Sequence, residues 1–257
     1  MAEAIIAKLS HQPEYTLTVI QRNPEKAARL RKLYPVAVMP RLTLKLSPSD
    51  WLILAIKPQD AKAGCQAIAA LATAATVISL MAGVTIASIS TWLHNPRLIR
   101  ALTNTPARIG LGVSVIYFSA NITVATQQLV STMFSQLGIT SVVAEENALN
   151  QALPISSSAI AFVYYFMEGL INNAVSQFGL TPTDATRIIT QVVSGSIGLL
   201  QEHPQLSIGQ QRALVTSAKG TTAHGLLTLE QGNFHALIGQ AMHNCYLRGL
   251  ELANQAE

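Results

Sequence analysis

At 257 residues, 49% of them apolar and 12% charged, the chain can bury a sizeable core as one large domain or two medium ones, which excludes a disordered protein. Its net charge of +4 comes from mostly scattered basic residues, and the one local excess, over 22–32, has no aromatics interleaved, a poor pattern for a nucleic-acid surface. Cys65 and Cys245 lie far apart in apolar stretches and read as two reduced, buried thiols.

The chain opens MAEAIIAKL, a helix from the first residues, with Ile5, Ile6 and Leu9 able to share one face. Glu3 and Lys8 interrupt this stretch, so no signal peptide is expected and the location is read as cytoplasmic. A strand over 16–20 runs into Gln21-Arg22-Asn23-Pro24, where Asn23 is a natural N-cap and Pro24 a natural first helical residue. The helix to about Tyr34 carries a local excess of basic residues, Arg22, Lys26, Arg29, Arg31 and Lys32 against Glu25. That excess is either a solvated face or an anion site at the helix start.

A short strand follows near 36–38. Residues 51–56 are a continuous apolar run ended by Lys57-Pro58, as in a strand buried on both faces. Helices at 61–71, 85–93 and 123–137 alternate with strands at 76–80, 98–102 and 113–118. This alternation predicts βαβ units and a mainly parallel sheet. After Glu145 the pattern becomes all-helical: 147–177, then Thr181-Pro182-Thr183-Asp184 starting a helix to about Glu202. Ser207 and Gln210 fit a capping box, and helices follow at 222–230 and 234–253. The expected domains are therefore 1–143 and 144–257. The two charge-free stretches, 63–96 and 109–144, are punctuated by Gly, Ser, Thr, Asn and Gln, so no membrane span is expected there.

In a doubly wound domain, ligands sit at the carboxyl ends of the strands. The strand ending at Ile20 looks like a second strand, and Arg22 then stands where a ribose or its 2′-phosphate is read. In that register MAEAIIAKL is the helix that follows a Gly-rich turn, and the first strand and the glycines are not in the sequence.

Several short motifs, in their order and spacing, resemble the pyrroline-5-carboxylate reductases. They are Met1-Ala-Glu-Ala-Ile-Ile6, Arg22-Asn-Pro-Glu-Lys26, Ala55-Ile-Lys-Pro-Gln59, Ala82-Gly-Val-Thr-Ile86, Asn104-Thr-Pro-Ala107 and Val215 to Leu226. Leu229-Glu-Gln-Gly232 and Phe234 follow in register, so the resemblance covers essentially the whole chain. It implies a Rossmann-like α/β domain, here without its first strand and Gly-rich turn, and an all-α C-terminal dimerisation domain. It implies reduction of the cyclic imine pyrroline-5-carboxylate to proline with NADPH or NADH. Arg22 and its basic neighbours favour NADPH. It implies a homodimer or a larger ring, and no metal, nucleic acid or membrane.

Carried over by residue, Arg22 and Asn23 contact the adenosine ribose or 2′-phosphate. Ala55, Lys57 and Pro58 line the pyrophosphate and ribose, and Asn104, Thr105 and Pro106 lie near the nicotinamide. Ser217, Gly220, Thr221 and Thr222 form the substrate loop. The Thr222 hydroxyl meets the ring nitrogen, and Glu168 is a nearby acid. His224 is expected to pack or to lie in an interface.

The chain also departs from the family. Ser156-Ser157-Ser158-Ala159-Ile160 replaces a Gly-containing run, Ala218-Lys219 replaces Pro-Gly, and Thr103 stands where the family has Pro. A missing strand is explained either by a start set too far along the chain or by a drifted paralogue with weakened cofactor binding. Two further readings compete: a related imine or hydroxyacid reductase, and a non-catalytic dimeric scaffold.

Overall fold

The computed structural model describes residues 1–256, with side chains through residue 252. Two compact units emerge from the packing: Met1–Ser158 with Asn244–Glu257, and Ala159–His243. The composition changes near residue 143, yet the packing divides later, because the helix after that point is pinned to the first unit by the fully buried Leu149.

The first unit is α/β. Helix α1 (Ala2–Leu9) leads to β1 (Thr18–Ile20), α2 (Pro24–Leu33) and β2 (Ala37–Met39). Then come β3 (Trp51–Leu54), α3 (Ala61–Ala72), β4 (Thr76–Ser79), α4 (Ile86–Leu93) and β5 (Leu98–Leu102). Strand β6 (Gly112–Phe118), α5 (Val124–Ser135) and β7 (Gly138–Val142) complete it. Strand β7 has no counterpart in the sequence reading, since it starts directly after the α5 turn. Its first residue takes φ +136°, and a Cβ there would strike the backbone of Gly112, its register partner. All pairs are parallel except β5–β6.

The sheet is in two parts, β1–β2 and β3–β4–β5–β6–β7. Strand β3 pairs with β4, and its residues 51–53 stay half-exposed while β4 and β5 are buried throughout. Its outer edge is therefore open, as expected of a doubly wound order in which a central strand is not among these residues. Helix α1 bridges the two parts. Ala4, Ile5 and Leu9 pack into the cluster over the five-stranded sheet, and Ile6 packs with Ala27, Leu30 and Val38 over the two-stranded one.

Helix α6 (Ala148–Leu153) passes through a π turn at Pro154–Ser158 into α7 (Ala159–Ser176). Pro154 widens the helix here without ending it. The segment Ala148–Ser176 is long and apolar enough to cross a membrane by length and composition, with an 18-residue stretch of mean hydropathy 1.2. Helices α8 (Pro182–Glu202), α9 (Ile208–Leu214), α10 (Thr221–Gln231) and α11 (Phe234–Ala256) follow. Thr181 caps α8, and the Ser207–Gln210 capping box starts α9. Among the described residues of the second unit only Ala185 is buried. Val163, Tyr164, Tyr165, Phe166, Phe178, Val192 and Leu237 are all exposed.

Candidate active site

In the first unit, the three groups of residues expected at a cofactor each follow directly on the carboxyl end of a strand. Arg22 and Asn23 follow β1, Ala55, Lys57 and Pro58 follow β3, and Asn104, Thr105 and Pro106 follow β5. Open α/β sheets bind their ligands at these ends.

After β1 the turn is built by local hydrogen bonds. The Asn23 N–H donates to Gln21 Oε1 at 3.0 Å, and Asn23 Oδ1 accepts the Lys26 N–H at 2.8 Å, capping α2. Pro24 occupies the first helical turn, where its missing N–H costs nothing. The basic cluster divides by what its members touch. Arg29 is paired with Glu3 of α1, which also accepts the Tyr34 hydroxyl at 3.1 Å, and Arg31 donates to Val38 O at 2.7 Å. Arg22 and Lys26 have no side-chain partner among the described residues and stay exposed. Two arginines of the cluster thus hold α1, α2 and β2 together; Arg22 and Lys26 remain for an anion at the start of α2, and Lys32 is exposed in its last turn.

After β3, Ala55 and Lys57 are exposed and Pro58 opens a single 3-10 turn ahead of α3. The Lys57 ammonium has no side-chain partner among the described residues. After β5, Asn104 is buried and both ends of its amide are used. Nδ2 donates to Ser156 O at 2.7 Å, and Oδ1 accepts the Val113 N–H at 3.0 Å. Thr105 is exposed and Pro106 half-buried, opening a 3-10 turn that Gly110 closes at φ +78°. Thr103, the residue in place of a family proline, is buried with its hydroxyl accepting from Ser114 Oγ at 3.1 Å.

Two residues of this region escaped the sequence reading. Arg100 is only 3% exposed in the middle of β5 and donates to Glu146 Oε1 at 2.7 Å. The same oxygen accepts the Ile86 N–H at 2.7 Å, tying the start of α4 to β5. The sequence signal was present: a lone charge inside the apolar strand Leu98-Ile-Arg-Ala-Leu102 needs a partner.

In the second unit, Val215 to Gly220 form an exposed loop into α10. The Gly220 N–H donates to Ser217 O at 3.0 Å, folding the loop into a tight turn. A Cβ on Gly220 would meet the Ser217 hydroxyl, which would have to rotate away to admit it. Gly220 is the N-cap of α10 and supplies no side-chain cap, which leaves the first N–H groups, at Thr221 and Thr222, open. His224 reaches back to Gly220 O with Nδ1 at 3.1 Å and is exposed. Lys219 points no charge at any acidic partner among the described residues. Ser217, Gly220, Thr221 and Thr222 are thus brought together on one turn. Glu168 stands exposed on α7, and no hydrogen bond joins it to that turn among the described residues.

An α/β unit with unpaired cations at its strand ends, followed by a helical unit, defines the class: a two-domain, dinucleotide-dependent oxidoreductase. The description "NADP oxidoreductase coenzyme F420-dependent" matches residues 1–83, and "Pyrroline-5-carboxylate reductase dimerisation" matches residues 146–252. Pyrroline-5-carboxylate reductase of Synechocystis is 34% identical over 99% of this chain and 96% of its own length, and that of Pseudomonas aeruginosa is 28% identical over 99% and 94%. The chain belongs to the pyrroline-5-carboxylate reductase family. The crystal structure of the Coxiella burnetii reductase superposes with a TM-score of 0.83 at 26% identity, covering 98% of this chain and 94% of that one. The Plasmodium falciparum enzyme, solved with NADP bound, shares the fold at the same TM-score and 20% identity, covering 98% and 96%.

Proposed function

We propose that this protein reduces pyrroline-5-carboxylate to proline with NADPH, in the cytoplasm, as a homodimer. Membership of the family across nearly the whole chain carries the reading. The residues fit an NADP at its adenosine end, where Arg22 and Lys26 flank the capped start of α2 and have no other partner among the described residues. A 2′-phosphate there gains two cations, and NADH, lacking it, gains neither. Lys57 is set to steady the pyrophosphate and ribose, with Ala55 and Pro58 shaping the turn around them. Thr105 and Pro106 are the nicotinamide-side residues.

When bound, the reduced nicotinamide supplies a hydride. The protein's own task is to hold the imine. A protonated imine carbon is already electrophilic, so alignment matters more than a strong acid or base. The open N–H groups of Thr221 and Thr222, with the Ser217 hydroxyl, suit the substrate carboxylate. The Thr222 hydroxyl is placed in the same turn to hydrogen-bond the ring nitrogen, with Glu168 as the family's nearby acid. Lys219 adds charge attraction for the carboxylate.

Oligomerisation follows from the second unit's surface. A bundle with a single buried residue and a broad exposed apolar area needs a covering partner, and a second copy of the same face is the simplest one. The apolar helix 148–176 is read as part of that interface, not as a membrane span. The test is a coupled assay on the purified protein that follows NADPH oxidation and proline formation together, with NADH in parallel. One proline per NADPH, with NADPH preferred, supports the proposal.

A further inference from the structure

Side chains two apart on an extended strand share a face. On β5 that puts Arg100 and Leu102 together, and Asn104, still extended at φ −132° and ψ 171°, continues the alternation. All three meet the same stretch of chain. Arg100 donates to Glu146 two residues before α6, at 2.7 Å. Leu102 clusters with Leu149 inside α6, and with Val115 of β6. Asn104 donates to Ser156 O just after α6, at 2.7 Å. The helix is gripped ahead of its first turn, at its middle and beyond its last, by an ion pair, an apolar contact and an amide.

The third grip falls inside the π turn of Pro154–Ser158. A π turn takes carbonyls out of the regular i→i+4 ladder, and isolated ones persist where something else binds those groups. Here the Ser156 carbonyl receives the Asn104 amide, and the Ser156 hydroxyl donates to Ala152 O at 2.9 Å. Asn104 is 5% exposed, and its other end is held by the Val113 N–H. It is therefore a braced strut and has little freedom to follow a ligand. The contact thus ties the π turn to the carboxyl end of β5, beside Thr105 and Pro106.

We propose that Asn104 is a positioning residue: its side chain holds the π turn against the end of β5 that carries Thr105 and Pro106, instead of serving as a side-chain ligand of the nicotinamide. Only the activity arm of its test rests on the reductase reading.

Asn104→Asp isolates the contact. It keeps an oxygen for the Val113 N–H but sets a carboxylate oxygen against the Ser156 carbonyl. The expected result is at least tenfold faster amide hydrogen exchange over residues 155–161, with kcat for the imine down at least tenfold and the NADPH Kd within twofold of the original. Asn104→Ser, neutral and too short to reach Ser156, carries the same expectation if the Asp variant does not fold. Unchanged exchange over 155–161 in a folded variant overturns the proposal. So does a tenfold rise in NADPH Kd with kcat at saturating NADPH unchanged, the signature of a direct cofactor ligand. If the unaltered protein binds NADPH but leaves the imine unreduced, the reductase reading fails by itself, and the exchange measurement still decides the role of Asn104.

Discussion

Arg22 and Cys65 show how much one residue's surroundings decide. Arg22 stands on the surface with its guanidinium unpartnered among the described residues, while its neighbours Arg29 and Arg31 are spent on Glu3 and on Val38 O. Replacing Arg22 by Ala is expected to weaken NADPH about tenfold, the loss of one charge-assisted contact, and to leave NADH within twofold. Parallel fluorescence titrations with the two cofactors measure this. Cys65 is buried in α3, and burial pushes its thiol up to about 11. It is expected to resist iodoacetamide at pH 8 in the folded protein and to react on unfolding, which peptide mapping reads. Because the thiol ionises at lower pH in the unfolded chain, its contribution to stability is whole below about pH 9 and is lost as the pH rises towards 11. A Cys65→Ala variant should show a shallower loss of Tm across that window. Both arginines and thiol were visible in the sequence. What was not visible was the sorting of the basic cluster, since pairing across α1, α2 and β2 is a tertiary fact. Asn104 is similar: its position was readable from its motif, but its engagement with Ser156, 52 residues away, was not.

Among the elements, those with a local chemical signature were legible. The Asn23–Pro24 start of α2, the Thr181 cap of α8 and the Ser207–Gln210 box stand where the side chains put them. Two elements were not legible. Strand β7 follows the α5 turn with no breaker but Gly138, and Gly138-Ile-Thr-Ser-Val142 lacks a clean apolar–polar alternation, its Ile139 and Val142 being exposed. The π turn at Pro154–Ser158 lies inside what reads as one continuous helix over 147–177, and no residue type in it signals the widening. The sheet is split between β1–β2 and β3–β7, and the split makes a prediction at this scale. An apolar strand ending in a Gly-rich turn, joined ahead of Met1, should pair with the open edges of β1 and β3. The Tm should rise by several degrees, given about 2–4 °C per kcal/mol at this size. The amides along the newly paired edges of β1 and β3 should become protected in hydrogen exchange. An unchanged Tm and unchanged exchange would mean that the two sheets are not set to receive a strand.

For the molecule as a whole, the contrast between the two units matters most. The first holds nearly all the buried residues, and the second holds one among those described. Ile188, Val192 and Leu199 line an open face of α8, and a charge at Val192 should be refused by any partner that covers it. Val192→Asp is expected to shift the protein from dimer to monomer by light scattering and to lower its Tm. The central claim is chemical, however, and a single experiment meets it directly: proline formed and NADPH oxidised, counted together on the purified protein with pyrroline-5-carboxylate as substrate. The account predicts one proline for each NADPH consumed. A protein that binds NADPH yet returns the imine unreduced would contradict it.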